Sequence, residues 1–423
     1  MAAASSDQAE LFYLEDATDN VEFNDGKLEK ADSSLSSGIA LRVTKNGRVG
    51  LAHTRNLLDQ EALVKQALLS SGNGMETGMK FPFTKSVPAV KTFDPAIRKL
   101  DKKGLIQEGA KVIEYVKKRS SGQVNVNYSY SISRMGIMNS AGTRLEQESS
   151  DFMTLVHMVF PGTGTGLYRY HIKRVPVSFT EAELDELIDL YRISETQIVP
   201  ETGAMPVIFM PMTMSSLLWR FAAAASPSSF YNKVSPLLDK MGEKIFSDKI
   251  EIYQDPHDPE LSSSTGFDSE GTPTCRYNFV DKGVFKAIPA DLNYADKLKL
   301  QPTGNGFRHS VESQPQTHPI SVCMAPGTKT LAEMIAGIDR GIIAHSLMGA
   351  HSGNILNGDY SVGVSAGFYI ENGKLTGRVK DCLLAGNVYD TFNRVGEIES
   401  TCQNLGNNKL PAILFDGVSV AGK

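Results

Sequence analysis

The sequence predicts an α+β fold in two parts. An N-terminal α/β-sandwich-like domain with a mixed or antiparallel sheet is expected over residues 1–195. A C-terminal domain dominated by antiparallel β-sheet with a few helices is expected over residues 196–423. Three observations lead there. Val124, Val126, Tyr128, Tyr130 and Ile132 alternate with polar residues, the period-2 pattern of a half-buried strand. Asn46-Gly47 and Asn372-Gly373 stand between apolar-alternating runs, and Asn-Gly tolerates the positive φ of a type I′ hairpin turn. Strands pair locally with helices interspersed, instead of alternating strictly as in a parallel βαβ fold.

In chain order, AELFYLED and VEFNDGKLEKAD read as two early strands, and IALRVTKNGRVGLAHT as a hairpin. Asn56 or Asp59 can cap a helix that carries Leu57, Leu58, Leu63, Val64, Ala67 and Leu68 on one side. Residues 70–95 hold Gly72, Gly74, Gly78, Pro82, Pro88 and Pro95 and read as a loop. Pro95 can open the next helix, with Leu105, Ile106, Val112, Ile113 and Val116 apolar and Lys117-Lys118-Arg119 at its negative dipole end. After the alternating strand come a turn near Asn139 to Gly142, a second strand, and MTLVHMVF. Thr180 and Glu183 then form a capping-box pattern. The second half opens on the strand PVIFM, followed by a helix through LLWRFAAAA capped by Thr213 and another across Val234 to Ile245. Strands through CRYNFVDKGVFKAIP, a short helix DLNYADKL, the strand PISVCMAPG and a helix started by Thr330 and Glu333 complete the approach to the most informative stretch.

Composition excludes several classes. With 423 residues and 41% hydrophobic content, a sizeable core is available. The net charge of −5 and the absence of a Lys/Arg run argue against nucleic acid as partner. Cys275, Cys323, Cys382 and Cys402 lie far apart, which suits reduced thiols. The first residues show no secretory pattern, and no segment reaches the ~18 apolar residues of a membrane span, so a cytoplasmic location without membrane contact is expected.

Gly341–Val379 reads as strand, Gly-rich loop, strand, tight turn, strand. In the middle strand Tyr360, Val362, Val364, Ala366, Phe368 and Ile370 alternate with Ser361, Gly363, Ser365, Gly367 and Tyr369. One face is therefore apolar, and the other nearly lacks side chains. A Ser/Gly face weakens a strand unless another backbone comes close to it. His351, Asn354 and Asp359 lie in the adjoining loop, where turn chemistry and a binding role are about equally supported.

LMGAHSGN…NGDYSVGVSAGFYIENGK, then AGN (Ala385 to Asn387) and a terminal VAG (Val420 to Gly422), resemble the TldD/PmbA family. VEFNDGKLEKADSSLSSGIALRV, GRVGLAHT, GFDSEGTPT (Gly266 to Thr274), PTGNG (Pro302 to Gly306) and MAPGTKTLAEMI extend the resemblance over most of the chain. The family is known for zinc peptidases, whose catalytic branch carries His-Glu-x-x-x-His on a helix. Two imidazoles grip zinc, and the glutamate activates a bound water. An ideal helix turns about 500° over those five residues, so the two histidines converge only if it distorts. Here Trp219 stands at the first histidine, Arg220 at the glutamate and Ala224 at the second histidine. None supplies an imidazole or carboxylate, and arginine repels a divalent cation.

The resemblance therefore implies the PmbA (TldE) branch, with no catalytic residue and no metal in this chain. It implies zinc in a TldD-like catalytic subunit as partner, and an unfolded peptide as substrate. The peptide would be held as an added strand, with His351, Asn354, Asp359, Ser361, Gly363, Ser365 and Gly367 as candidate peptide or partner contacts. A homodimer is the other assembly to expect. The rival function is a non-enzymatic regulatory or binding protein, since members carry the name modulator of DNA gyrase. An autonomous hydrolase using His351 or the acidic loop Asp255, His257, Asp258 and Glu260 is a third. That loop has too few strong ligands for zinc and reads chiefly as a solvated surface. Cys402 lies near the region where the catalytic branch supplies a cysteine ligand, but it lacks the paired histidines. Cys323 and His345 read as structural. PGTGTG (Pro161 to Gly166) and TGNG lack the spacing of phosphate-binding loops and read as loops.

Overall fold

The structure, a computed structural model, describes residues 2–56 and 58–423. Leu57, expected on the apolar side of the first helix, lies outside the described residues. An α+β architecture results. The N-terminal sheet holds β1 (Gln8–Asn24), β2 (Lys27–Lys45), β3 (Arg48–Thr54), β4 (Gln123–Asn139), β5 (Arg144–Val159) and β6 (Gly166–Lys173). Their order is β3-β2-β1-β4-β5-β6, with every pairing antiparallel. The expected pair of short early strands is corrected: β1 runs unbroken through DATDN, and the turn falls at Asp25-Gly26. Ladder bonds from β2 and β4 on both sides hold this polar segment extended although it has no apolar alternation.

Helix α1 (Gln60–Ser71) begins after Asp59, whose carboxylate accepts from the Ala62 amide at 2.9 Å, and Leu58 precedes it, exposed. Pro95 opens a separate 3₁₀ turn over Pro95–Lys99, and α2 (Lys102–Lys117) starts at Asp101. The turn and the helix stay separate because Leu100, between them, is extended. Helix α3 (Glu181–Ile193) carries the complete Thr180/Glu183 capping box.

The second half contains β7 (Gln197–Ile198), β8 (Gly203–Phe209), α4 (Pro211–Ala224), β9 (Arg340–Met348), β10 (Asp359–Glu371), β11 (Lys374–Val379), β12 (Leu383–Asn387), α5 (Val388–Asn393) and β13 (Ile413–Ala421). Strands run β9-β8-β13-β12-β10, and β10 pairs back onto β9, so this sheet closes into a barrel. The β9–β8 and β11–β7 pairings are parallel, and the others antiparallel. Phe209, Phe368 and Phe415 are fully buried in it, each contributing about 2–3 kcal/mol of transfer free energy. A second sheet is built from short strands around Ile252–Gln254 and Val322–Met324. No helix spans Val234 to Ile245: that segment is a run of turns whose Ile245 and Phe246 amides bond the Gly283 carbonyl. Helix α4 starts at Pro211, without a side-chain cap. Thr213 instead donates to the carbonyls of Met210 and Ala344, at 2.8 and 3.2 Å.

The two halves share their interior. One apolar core joins Val21, Val116, Val124, Phe152 and Ile188 to Ile208, Ile343, Phe368 and Leu414. A buried charge network crosses the same seam. Arg42 of β2 pairs with Glu10 of β1 at 2.6 Å and with Glu270 at 2.7 Å, while Arg308 pairs with Glu10 at 2.8 Å. Asp268 accepts from the amides of Glu270, Thr272 and Gly306. Burial, and then the neighbouring Glu270, holds its carboxyl above the usual range. GFDSEGTPT and PTGNG thus meet as the second half's share of this joint.

Candidate functional site

Helix α4 carries the three positions matched to the zinc motif. It is regular α-helix through Ala224, so residues five apart point to different faces. Trp219 is 46% exposed while Ala224 is 0% exposed in the apolar core. Between them Arg220 is completely buried. Its Nε donates to the Asp359 carbonyl at 2.8 Å, and its Nη2 to the carbonyls of Ala350 and Ser352, both at 2.8 Å. Nη1 bonds the Ser216 carbonyl at 2.9 Å. Four carbonyl oxygens surround the cation, and the Tyr360 ring lies 5.9 Å from its Cζ. The residue at the glutamate position is therefore a clamp tying α4 to the Gly-rich loop at both ends of that loop.

The loop itself is organised by turn chemistry. Gly358 sits at φ 88°, and Asn354 accepts the Asn357 amide at 3.1 Å while its carbonyl takes the Asp359 amide at 3.0 Å. Asn387 donates to the Asn357 carbonyl and to the Asp359 carboxylate, both at 2.9 Å, and its own oxygen caps α5. NGDY and AGN, distant in sequence, thus form one hydrogen-bonded unit. His351 and Asn354 are exposed at its rim, and Ser361 follows on β10.

The Ser/Gly face is less open than its composition implies. Ser365 is half-buried and Gly367 buried. A Cβ on Gly367 would sit 2.7 Å from the Ile343 carbonyl oxygen, because β9 bulges toward β10 beside it. Gly363 is covered by Met348, whose Cγ would lie 2.7 Å from an added Cβ. The backbone that approaches closely is the chain's own. Ladder partners also occupy β10: β9 pairs it from Gly363 to Glu371, and β12 from Asp359 to Gly363. This leaves β10 little edge for an added strand.

Other candidates resolve structurally. Lys409 reaches Asp258 at 3.0 Å and Glu260 at 2.5 Å, so the acidic loop carries its own cation. His257 contacts Thr274 at 3.1 Å. Cys323 is buried, with its thiol pushed up to about 12 by burial; Cys402 is half-buried and raised to about 11, chiefly by burial. His345 packs edge-on against Phe368, and burial draws its pKa down to about 3. Among the described residues no three His, Cys, Asp or Glu side chains come together as a metal site. The residues at the motif positions do not fit zinc. Beside Trp219 lies a cavity of about 400 Å³ lined by Leu218, Ala222, Ile252, Phe279 and His318. Sequence reasoning missed both this cavity and the Arg220 clamp. The clamp did leave a signal: Thr213, Leu217, Arg220 and Ala224 share one helical face, and an arginine there needs buried acceptors.

Comparison with known proteins places the chain in a family. Residues 202–422 match the PmbA/TldA metallopeptidase C-terminal domain, and residues 9–71 match domain 1 of the same metallopeptidases. A metalloprotease PmbA homolog of Haemophilus influenzae is 30% identical over 222 residues, 52% of this chain and 47% of that protein. The match thus spans about half the length of that relative. The crystal structure of TldE from Thermococcus kodakarensis superposes with a TM-score of 0.92 at 22% identity, covering 100% of this chain and 98% of that one. A Thermotoga maritima protein named for modulation of a DNA gyrase gives 0.86 at 23% identity, covering 98% and 96%. The structural likeness shows the shared fold, and the domain match over more than half its length shows that the chain belongs to the PmbA/TldD metallopeptidase family.

Proposed function

We propose that this chain is the non-catalytic, PmbA/TldE-like subunit of a two-protein metalloprotease acting on unfolded peptide. The observation that carries this reading is Arg220, fully buried and bonded to four carbonyls where a zinc peptidase needs a water-activating glutamate. A carboxylate base and two convergent imidazoles cannot be recovered there by a side-chain rotation. Zinc and base would come from a TldD-like partner, and this chain would shape the opposite wall of the reaction space. His351, Asn354, Asp359 and Ser361, exposed on the loop and at the start of β10, are the contacts left to face a peptide or the partner. Strand addition is better served by the outer side of β2 over Lys27–Gly38, which β3 does not reach, than by β10.

The test is metal content and cleavage of an unfolded polypeptide by the purified chain, alone and with a TldD-like protein, with assembly followed by light scattering. Zinc and chelator-sensitive cleavage only in the mixed complex are expected. Stoichiometric zinc, or cleavage by the chain alone as monomer or homodimer, overturns the proposal.

A further inference from the structure

A second cavity, of about 450 Å³, opens at the seam between the halves, far along the sequence from the α4 helix. Its walls are Gly122 and Gln123 at the start of β4, the end of β5 with the following loop (Phe160 to Thr163), Tyr191 of α3 and Ser194 just after it, and Arg378 of β11. The loop is the first part of PGTGTG, a tight turn with Gly162 at φ 69° and the Thr163 amide bonded to the Phe160 carbonyl.

Arg378 is the anomaly. It is 8% exposed, yet its guanidinium has neither a carboxylate within salt-bridge distance nor any hydrogen-bond acceptor among the described residues, and its Nε is sealed and unpartnered. The other arginines with buried side chains are bonded: although the Nε atoms of Arg42, Arg174 and Arg308 also lack a partner, these three and Arg220 each donate to at least two oxygens. Burial pulls the pKa of Arg378 below the ordinary arginine value. Its Cζ sits over the Phe160 ring, 4.2 Å from the centroid. This aromatic contact supplies no hydrogen-bond acceptor, so the N–H groups remain free to meet a ligand. A buried cation without a counter-charge is costly, and a planar fork held this way matches a carboxylate through two parallel hydrogen bonds.

We propose that this cavity binds the carboxylate of a small acylated amino acid or a peptide C-terminus, with Arg378 as the anchoring residue. Carboxylate is favoured over phosphate because Glu195 also lines the cavity, so a dianion would face like charge. Val159, Phe160, Pro161 and Tyr191 offer an apolar wall for the remainder of the ligand. The site is independent of the subunit role proposed above.

The test uses the full chain and calorimetric titration with four probes: N-acetyl-leucine, an N-acetylated tetrapeptide with a free C-terminus, the same tetrapeptide as its C-terminal amide, and inorganic phosphate. Binding of either free acid, with the amide weaker by ten- to a hundredfold, is expected from the worth of charge-assisted hydrogen bonds, about 1.5–3 kcal/mol. The two acids tell a small-molecule site from a peptide-end site. Arg378→Gln should lose the acid's binding by a similar factor. Arg378→Lys, which keeps the charge without the fork, should retain part of it and shows that loss is not misfolding. Equal binding of acid and amide, preference for phosphate, or no binding by the native chain overturns the proposal. So does binding that emerges only in Glu195→Gln, which would make Glu195 the internal counter-ion.

Discussion

Replacing Arg220 with methionine, which keeps the aliphatic stem, tests the clamp directly. Hydrogen bonds to a charged group contribute about 1.5–3 kcal/mol each, but the four do not count equally. Ser216 is four residues earlier in α4, so its carbonyl keeps its helix bond. Ala350 and Ser352 are half-buried and can regain water once the loop loosens. The Asp359 carbonyl, beneath the loop at the start of β10, loses most. Removing a buried cation also relieves its desolvation, so the net expected loss is about 2–4 kcal/mol. Urea unfolding measures the global part. Hydrogen exchange of the Ser352 and Asp359 amides, bonded to the Gly349 and Asn354 carbonyls at 2.8 and 3.0 Å, reports the loop. Arg220→Lys should fall between, because one ammonium cannot reach acceptors on both ends of the loop. A loss below about 0.5 kcal/mol with unchanged protection of both amides would refute the clamp.

The two glycines of β10 should separate. Gly367→Ala meets a backbone oxygen at 2.7 Å and should cost about 1–3 kcal/mol, whereas Gly363→Ala meets only the flexible, exposed Met348 and should cost less than 1; equal denaturant midpoints would contradict this. The triple variant Trp219→His, Arg220→Glu, Ala224→His should show neither zinc binding nor cleavage and should melt lower than the native chain. It points a carboxylate at carbonyls and buries an imidazole in apolar core; a stable, zinc-loaded variant measured by metal analysis would defeat the prediction. Asp151 is raised from its ordinary 3.8 to about 6, chiefly by burial, with a Ser262 hydrogen bond and Arg174 pulling it back. A carboxyl with a raised folded pKa binds more protons when folded, so its share of stability is present below pH 3.8 and lost as pH rises to about 6. Asp151→Asn should flatten that fall, read as a smaller difference between urea midpoints at pH 4 and pH 7.

Local chemistry was the legible part of the sequence. Asn46-Gly47 and Asn372-Gly373 adopt positive φ at both positions, and the Thr180/Glu183 and Thr330/Glu333 boxes close fully. What escaped depends on distant partners. Ala17 to Asn20 falls between the two early strands read from the sequence because it has no apolar alternation, and only the neighbouring strands make it part of β1. Barrel closure is set by β10 pairing both β9 and β12, which no period records. Of the small residues of β10, Gly367 marks a close approach of the chain's own backbone, whereas Gly363 meets the Met348 side chain. Which backbone approaches is decided by the bulge in β9, a feature without a residue signature. Arg378 sits in a short strand between Gly377 and Val379, where nothing signals that its side chain ends without a partner.

The Glu10–Arg42–Glu270–Arg308 network has a consequence for the chain's modularity. Glu10 and Arg42 come from the first sheet, Glu270 and Arg308 from the second half, and neither pair is complete when separated from the other. A chimera joined near residue 195 would inherit one side of the joint and bury whatever charge its new neighbour failed to match. A join at that point therefore costs stability unless the new neighbour supplies matching charges at the joint.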